Sequence, residues 1–339
     1  MPSQKDLFEV SGPTYLTRVD WNRPDHRRSV MASLVQGVYV LERDRQRNRQ
    51  GDESRAPLWW RFFRFEMQQV LVDDADNSIF GAVYKFLDAT NAASAPHYVV
   101  AFRGTIMKKA SAPRDVTLNL HLVRNVLDGT SRFRAAMKTV YDVLESAAAA
   151  RQHDRVWLAG HSLGSAISTL VAKNKAREGV VLTTFLFNAP FPEAQAIWDV
   201  QWLNRGIRVA NSFVTAGVAT VLRAGGDGGY DPFAMLARWV PNVFVHPEDL
   251  ISSGYVGYFD HRKEMENIGL GAVGRLATRY SVKDLLLGIG RAGGCESLHL
   301  FPSAVLTVNR GPSRDFRMAH GIQQWWKPDL VLECNAYYY

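Results

Sequence analysis

Five consecutive residues restrict the fold of this chain more than any others: Gly160-His161-Ser162-Leu163-Gly164. Before them runs an apolar, strand-like stretch, Arg155-Val156-Trp157-Leu158-Ala159. After them comes Ser165 to Lys173, a small-residue segment with helical spacing. A strand that turns directly into a helix holds the residue at the corner at unfavourable backbone angles. A bulky side chain two positions to either side would collide with the neighbouring strand and helix, and Gly160 and Gly164 remove that obstacle. The pattern predicts a strand–turn–helix unit with Ser162 at its tip.

The rest of the chain supplies the sheet on which such a unit belongs. Strand-like runs fall at Ser78–Phe86, Tyr98–Phe102, Arg155–Ala159, Leu182–Phe187, Asn242–Val245 and Ala304–Val308. Helical segments, notably Arg132–Ala149 and Ser162–Lys175, separate several of them. This alternation predicts an α/β architecture, a mostly parallel central sheet flanked by helices. Met31, Leu34, Val35, Val38 and Leu41 recur at helix spacing, so residues 14–50 are expected to be helical. Arg43 to Ala56 is polar and reads as a solvated helix end and loop. The aromatic run from Trp59 to Phe65 is expected to pack against the sheet. No repeat and no linker divides the chain. The expectation is one domain over 1–339 with a helical N-terminal extension at about 1–70.

At 339 residues and 47% hydrophobic content, the chain can bury a large core. The net charge of +7 gathers largely in Arg23–Arg28 and Arg43–Arg55, without the aromatic interleaving of a nucleic-acid site. No nucleic-acid partner is therefore expected. Two cysteines, Cys295 and Cys334, make neither a disulfide framework nor a zinc site. The first ten residues have no apolar run, and Val209–Leu222 is too short and polar to span a bilayer. A cytoplasmic location follows as the expectation, with contact at membranes or lipid droplets as an option. Two Gly-x-Gly-x-x-Gly matches, at Gly269/Gly271/Gly274 and Gly288/Gly290/Gly293, follow no convincing strand and predict no dinucleotide. Ala224–Gly229 reads as a flexible Gly-rich loop.

A serine presented on such a turn suits nucleophilic chemistry. It then needs a base, an acid to orient that base, and donors for an oxyanion. On this kind of sheet the chain order is serine, acid, histidine. Four histidines follow Ser162: His246, His261, His299 and His320. A base on a loop after the last core strands narrows the choice to His299 or His320. His320 is preferred because Gly321 beside it lets the backbone turn closely. The strand-like Val243–Val245 leads into His246-Pro247-Glu248-Asp249, where Asp249 is the first candidate acid and Glu248 the second. Leu163 offers a backbone N–H to an oxyanion. Thr105, after Val99–Phe102, Arg103 and Gly104, offers another, with Gly104 permitting close approach.

In Phe102-Arg103-Gly104-Thr105 followed by Gly160-His161-Ser162-Leu163-Gly164, the chain resembles the fungal-type (class 3) lipases, in particular their plant branch. Asp20–Gln46, Arg114–Phe133, Trp239–Arg262, Ser297–Asn309 and Ala319–Trp326 extend the likeness over nearly the whole chain. The resemblance implies an α/β-hydrolase fold and cleavage of carboxylic esters of acyl lipids, without metal or organic cofactor. It implies Ser162 as nucleophile, Asp249 as acid, His320 as base, and Thr105 with Leu163 as the oxyanion hole. One departure is Leu250, where the family pattern has proline after the aspartate. A lid from Thr105 to about Val123 is also implied. Its mixture of Lys108, Lys109 and Arg114 with Ile106, Met107 and Leu118 suits transient contact with a lipid surface, or equally an ordinary surface loop and helix. The competing expectation is a non-catalytic receptor or scaffold of the same fold, binding an apolar ligand in the same pocket.

Overall fold

The structure, a computed structural model, describes residues 16–88, 94–106, 129–149, 155–191, 235–267, 300–327 and 329–339. Among these residues, one eight-stranded sheet runs in sequence order: β1 (Phe65–Val72), β2 (Ile79–Phe86), β3 (Tyr98–Phe102), β4 (Val156–His161), β5 (Thr183–Phe187), β6 (Asn242–Val245), β7 (Ala304–Asn309) and β8 (Leu332–Tyr337). Strands β3 to β7 are parallel to one another. β1 and β2 extend one side antiparallel, and β8 closes the other side antiparallel to β7. The architecture is therefore α/β, as the alternation of elements predicts. The six expected strands occur close to their expected bounds. β1 and β8 were not foreseen because they lie at the edges and bury little, so their sequences carry a weak apolar pattern.

Adjacent parallel strands joined in order by right-handed crossovers carry their connecting helices on one face of the sheet. The described helices obey this rule. The helices α3 (Ser131–Ala149), α4 (Leu163–Arg177) and α5 (Gly254–Asn267) follow β3, β4 and β6. Ala136, Val140, Ile167, Leu170 and Phe259 from them join Val100, Leu158, Leu186 and Val243 from the sheet in one core. The alternate residues of the strands, among them Val99, Trp157, Phe185 and Phe244, face the other way.

That second face is covered by the N-terminal helix α1 (Pro24–Gln46), the short α2 (Leu58–Arg61) and a 3-10 turn at Ile322–Trp326. α1 opens with proline at its first position and Asp25 in its first turn, and ends with Arg43 and Arg45 in its last. From Arg28 to Val40 every residue except Gln36 is buried, because the sheet lies on one side of α1 and the Ile322–Trp326 turn on another. Arg28 ties the two together, its Nε donating to the Trp325 carbonyl at 2.9 Å. Trp59, Trp60, Phe63 and Phe65 are buried against the same core, as expected of the aromatic run.

The polar end of α1 is less solvated than its composition suggests. Glu42 and Asp44 are buried. Asp44 Oδ2 accepts from Ser54 Oγ and from the N–H groups of Arg55 and Ala56, each at 2.9 Å. Glu42 pairs with Arg45 at 2.7 Å and accepts the Ile79 N–H at 2.9 Å. Two carboxylates thus fold the connection back onto the start of β2. Of the Arg23–Arg28 run, Arg23 is a surface partner of Asp25, whereas Arg28 is buried. The two Gly-x-Gly-x-x-Gly matches, the Gly-rich Ala224–Gly229, Cys295 and His299 lie outside the described residues. So does the expected lid, except for Thr105 and Ile106. No helix among the described residues is long and apolar enough to cross a membrane.

Candidate active site

The parallel strands all end on the same side of the sheet, and their following residues converge there. β4 ends at His161 and passes directly into α4 through Ser162, which adopts φ 54° and ψ −123°. This left-handed conformation is costly for a residue with a Cβ, and the flanks show what holds it. A Cβ on Gly160 would stand 2.3 Å from the Gly164 carbonyl oxygen, and one on Gly164 would stand 2.3 Å from that of Phe102 in β3. α4 therefore begins pressed against both β4 and β3. The Ser162 N–H donates to the Phe187 carbonyl at 3.0 Å, fixing the tip to β5. Ser162 itself is buried among the described residues.

Asp249 follows β6 and is completely buried, while the adjacent Glu248 is exposed. The turn at Asp249 forms without a proline at 250. The Asp249 carbonyl accepts the Ser252 and Ser253 N–H groups, and its Oδ1 accepts the Ile251 N–H at 3.1 Å. His320, at the end of the short helix α6 (Phe316–His320), brings Nδ1 to 3.1 and 3.0 Å from the two Asp249 carboxylate oxygens. Asn188 Nδ2 donates to Asp249 Oδ2 at 2.7 Å, and Ser252 Oγ donates to the same oxygen. Burial alone would raise the Asp249 pKa, but the charge of His320 and the donors His320, Ser252 and Asn188 outweigh it and hold the carboxyl below its usual range.

Of the other candidate histidines, His246 and His261 lie within the described residues. His246 Nδ1 accepts the Glu248 N–H and its Nε2 donates to the Gly311 carbonyl at 3.0 Å, so it braces the turn that carries Asp249. His261 lies on α5. The glycine after His320 has an ordinary φ of −69°, and a Cβ there would meet only the flexible end of Gln323. Gly321 is thus not what bends the chain at His320. The position is set instead by Gln324, whose Nε2 donates to the Ala319 carbonyl at 2.6 Å and whose Oε1 accepts from Asn309 at the end of β7.

Leu163 directly follows Ser162, and Thr105 follows Gly104, which packs against Ser162. Leu163 is the first residue of α4, so its N–H is one of the amides that a helix leaves without an internal partner. Thr105 is exposed and follows Gly104, where a Cβ would stand 2.7 Å from Ser162 Cβ. Gly104 is therefore required for the close approach, as its place in the sequence predicts.

Sequence reasoning missed several groups that shape the site. Asn188, at φ 49° after β5, donates to Asp249 and to the Ala319 carbonyl and accepts from Trp325 Nε1 at 2.6 Å. An asparagine right after a strand in the interval between serine and acid was the available signal. Tyr39 and His161 form a second network, with Tyr39 Oη 2.8 Å from His161 Nδ1. Burial, followed by the nearby His320, pushes the His161 pKa down to about 3, so its ring is neutral. Among the described residues, no group of three or more His, Cys, Asp or Glu is placed to hold a metal ion.

The family profile of the class 3 lipases matches residues 99–190, which run from β3 through the Ser162 turn to just beyond Asn188. Over 358 aligned positions the chain is 44% identical to an Arabidopsis thaliana protein named as a GDSL esterase/lipase, covering 100% of this chain and 99% of that relative.

Proposed function

Because this chain belongs to the class 3 lipase family, a family of ester hydrolases, we propose that it is a serine carboxylic-ester hydrolase acting on acyl lipids. The observation that carries the reading is the buried Asp249–His320 pair, set beside a serine held at a left-handed corner. A carboxylate only accepts, so the proton shared between them sits on His320 Nδ1, leaving Nε2 free to act as base. Ser162 Oγ attacks the ester carbonyl as His320 takes its proton. The N–H groups of Leu163 and Thr105 receive the oxyanion. His320 then returns the proton to the leaving alcohol, and a water deprotonated by His320 releases the fatty acid from Ser162. Asp249 keeps the imidazole in the one tautomer that works and stabilises its charged form. The steps need neither metal nor organic cofactor. The name of the Arabidopsis relative and the family both favour an ester or lipid substrate.

A fluorophosphonate probe tests this directly, because it labels only an activated serine. Wild-type protein is expected to label and Ser162→Ala to remain unlabelled, with kcat on p-nitrophenyl esters reduced by at least about a thousandfold and the fold unchanged. A folded wild type that takes no label, with detergent present, would replace this reading with a binding protein of the same fold.

A further inference from the structure

Two buried side chains at the centre of the site have no role in the steps above. Tyr39 projects from α1, on the face of the sheet opposite the crossover helices. His161 is the last residue of β4, immediately before the serine. The bonds between them have only one consistent direction. His161 Nε2 lies 2.6 Å from the His320 carbonyl oxygen, which can only accept, so Nε2 carries the ring proton. In a neutral imidazole the other nitrogen is then an acceptor, and the Tyr39 hydroxyl donates to it at 2.8 Å. The same hydroxyl oxygen accepts the Gly104 N–H at 2.8 Å. Burial keeps both groups in the required state, raising the Tyr39 phenol to about 12 and leaving His161 uncharged.

We propose that Tyr39 and His161 are positioning residues, linked in a directional chain from Gly104 N–H through Tyr39 and His161 to the His320 carbonyl, which sets the oxyanion loop and the base at a fixed spacing about Ser162. The inference rests on the triad and oxyanion reading above. Its physical content lies at the two ends of the chain. At one end the backbone of the base itself is held, not only its side chain, so the Asp249–His320 pair cannot swing away as a unit. At the other end Gly104, the residue before Thr105, is held at both its N–H and its carbonyl, in the two peptide groups that flank it. Tyr39 holds the Gly104 N–H, and Arg103 Nη1 donates to the Gly104 carbonyl at 2.6 Å. In a trans peptide the Thr105 N–H points opposite to that carbonyl, so fixing the oxygen aims the donor. Preorganised donors of this kind act on the transition state, so their loss falls on kcat rather than on substrate binding.

The test uses p-nitrophenyl butyrate hydrolysis, with active sites counted by fluorophosphonate titration so that any unfolded fraction drops out. Tyr39→Phe deletes one hydroxyl and is expected to lower kcat per titrated site by about tenfold to a hundredfold, with KM changed by less than about twofold. Tyr84→Phe is the control. It deletes another buried hydroxyl from the same core, one that donates to the Leu34 carbonyl, and is expected to leave kcat per site within about twofold. His161→Gln can still accept from Tyr39 and donate to the His320 carbonyl, so it is expected to recover most of the kcat that His161→Leu loses. If Tyr39→Phe does not fold, this second pair decides the matter. Wild-type kcat per site in Tyr39→Phe, or equal losses in His161→Gln and His161→Leu, would overturn the positioning role while leaving the hydrolase reading intact. A wild type that neither labels nor hydrolyses would remove the hydrolase reading, and this inference with it.

Discussion

At the scale of single residues, burial separates neighbours that composition treats alike. Asp249 and Glu248 are adjacent carboxylates, yet one is enclosed with three side-chain donors and the Ile251 N–H, and the other faces solvent. Asp249→Asn would present an amide to His320 Nδ1 and favour the wrong tautomer. It is expected to lower kcat by about 10³ to 10⁴, measured per titrated site, with little change in the unfolding midpoint. Glu248→Gln is expected to keep most of the activity. The neutral His161 makes a separate prediction about stability and pH. Its folded pKa of about 3 lies below the ordinary imidazole value of 6.5, so between those limits the unfolded chain binds a proton that the folded protein refuses. Stability therefore falls as pH is lowered through that window, by at most about 1.4 kcal/mol per pH unit from this group. Urea unfolding at a series of pH values should show a shallower dependence in His161→Gln. Equal slopes in the two proteins would mean that His161 is not held neutral.

At the scale of elements, the turn from β4 into α4 is governed by backbone sterics, and those can be tested one glycine at a time. A methyl group on Gly164 would overlap the Phe102 carbonyl, which is part of β3 and cannot yield without moving the strand. Gly164→Ala is expected to cost at least about 2 kcal/mol in urea unfolding and to impair soluble expression. Gly321→Ala meets only the end of Gln323 at an ordinary φ and is expected to cost less than about 1 kcal/mol. The contrast between two glycines beside candidate catalytic residues is instructive. Gly164 is needed because a helix must start against two strands. Gly321 looks similar in sequence but sits where only the flexible end of Gln323 has to move. The end of α1 holds a similar lesson, since two buried acids there, Glu42 just before the polar Arg43–Ala56 run and Asp44 within it, fold that run back on the sheet. Polarity marked the run as a loop, and only its partners show that the loop is fixed.

For the whole molecule, the sequential strand order explains why an N-terminal helix is part of the core. With the described crossover helices on one face, the other would expose Trp157, Phe185, Phe187 and Phe244 without α1 and the Ile322–Trp326 turn. Leu34→Ala, in the centre of α1, is expected to cost about 2–5 kcal/mol, read from urea unfolding, a loss as large as that for a buried leucine in a crossover helix. What the sequence determined by itself was local or ordered along the chain. The Ser162 corner is legible because the residues that permit it lie within five positions, even though Gly164 answers to the Phe102 carbonyl of β3. The parallel strands are legible because they are apolar on both faces, and the order of serine, acid and histidine left few candidates to weigh. The edge strands β1 and β8 escaped because half-exposed strands carry little apolar pattern. The tertiary structure alone decided which carboxylate is enclosed and what bends the chain at His320. It also brought Tyr39, Asn188 and Arg103 to the site. Those residues act through partners such as His161, Asp249 and Ile79, at separations of 122, 61 and 24 residues. Hydrogen bonds of that span depend on how the sheet and α1 pack, and no pattern of neighbouring residues encodes them.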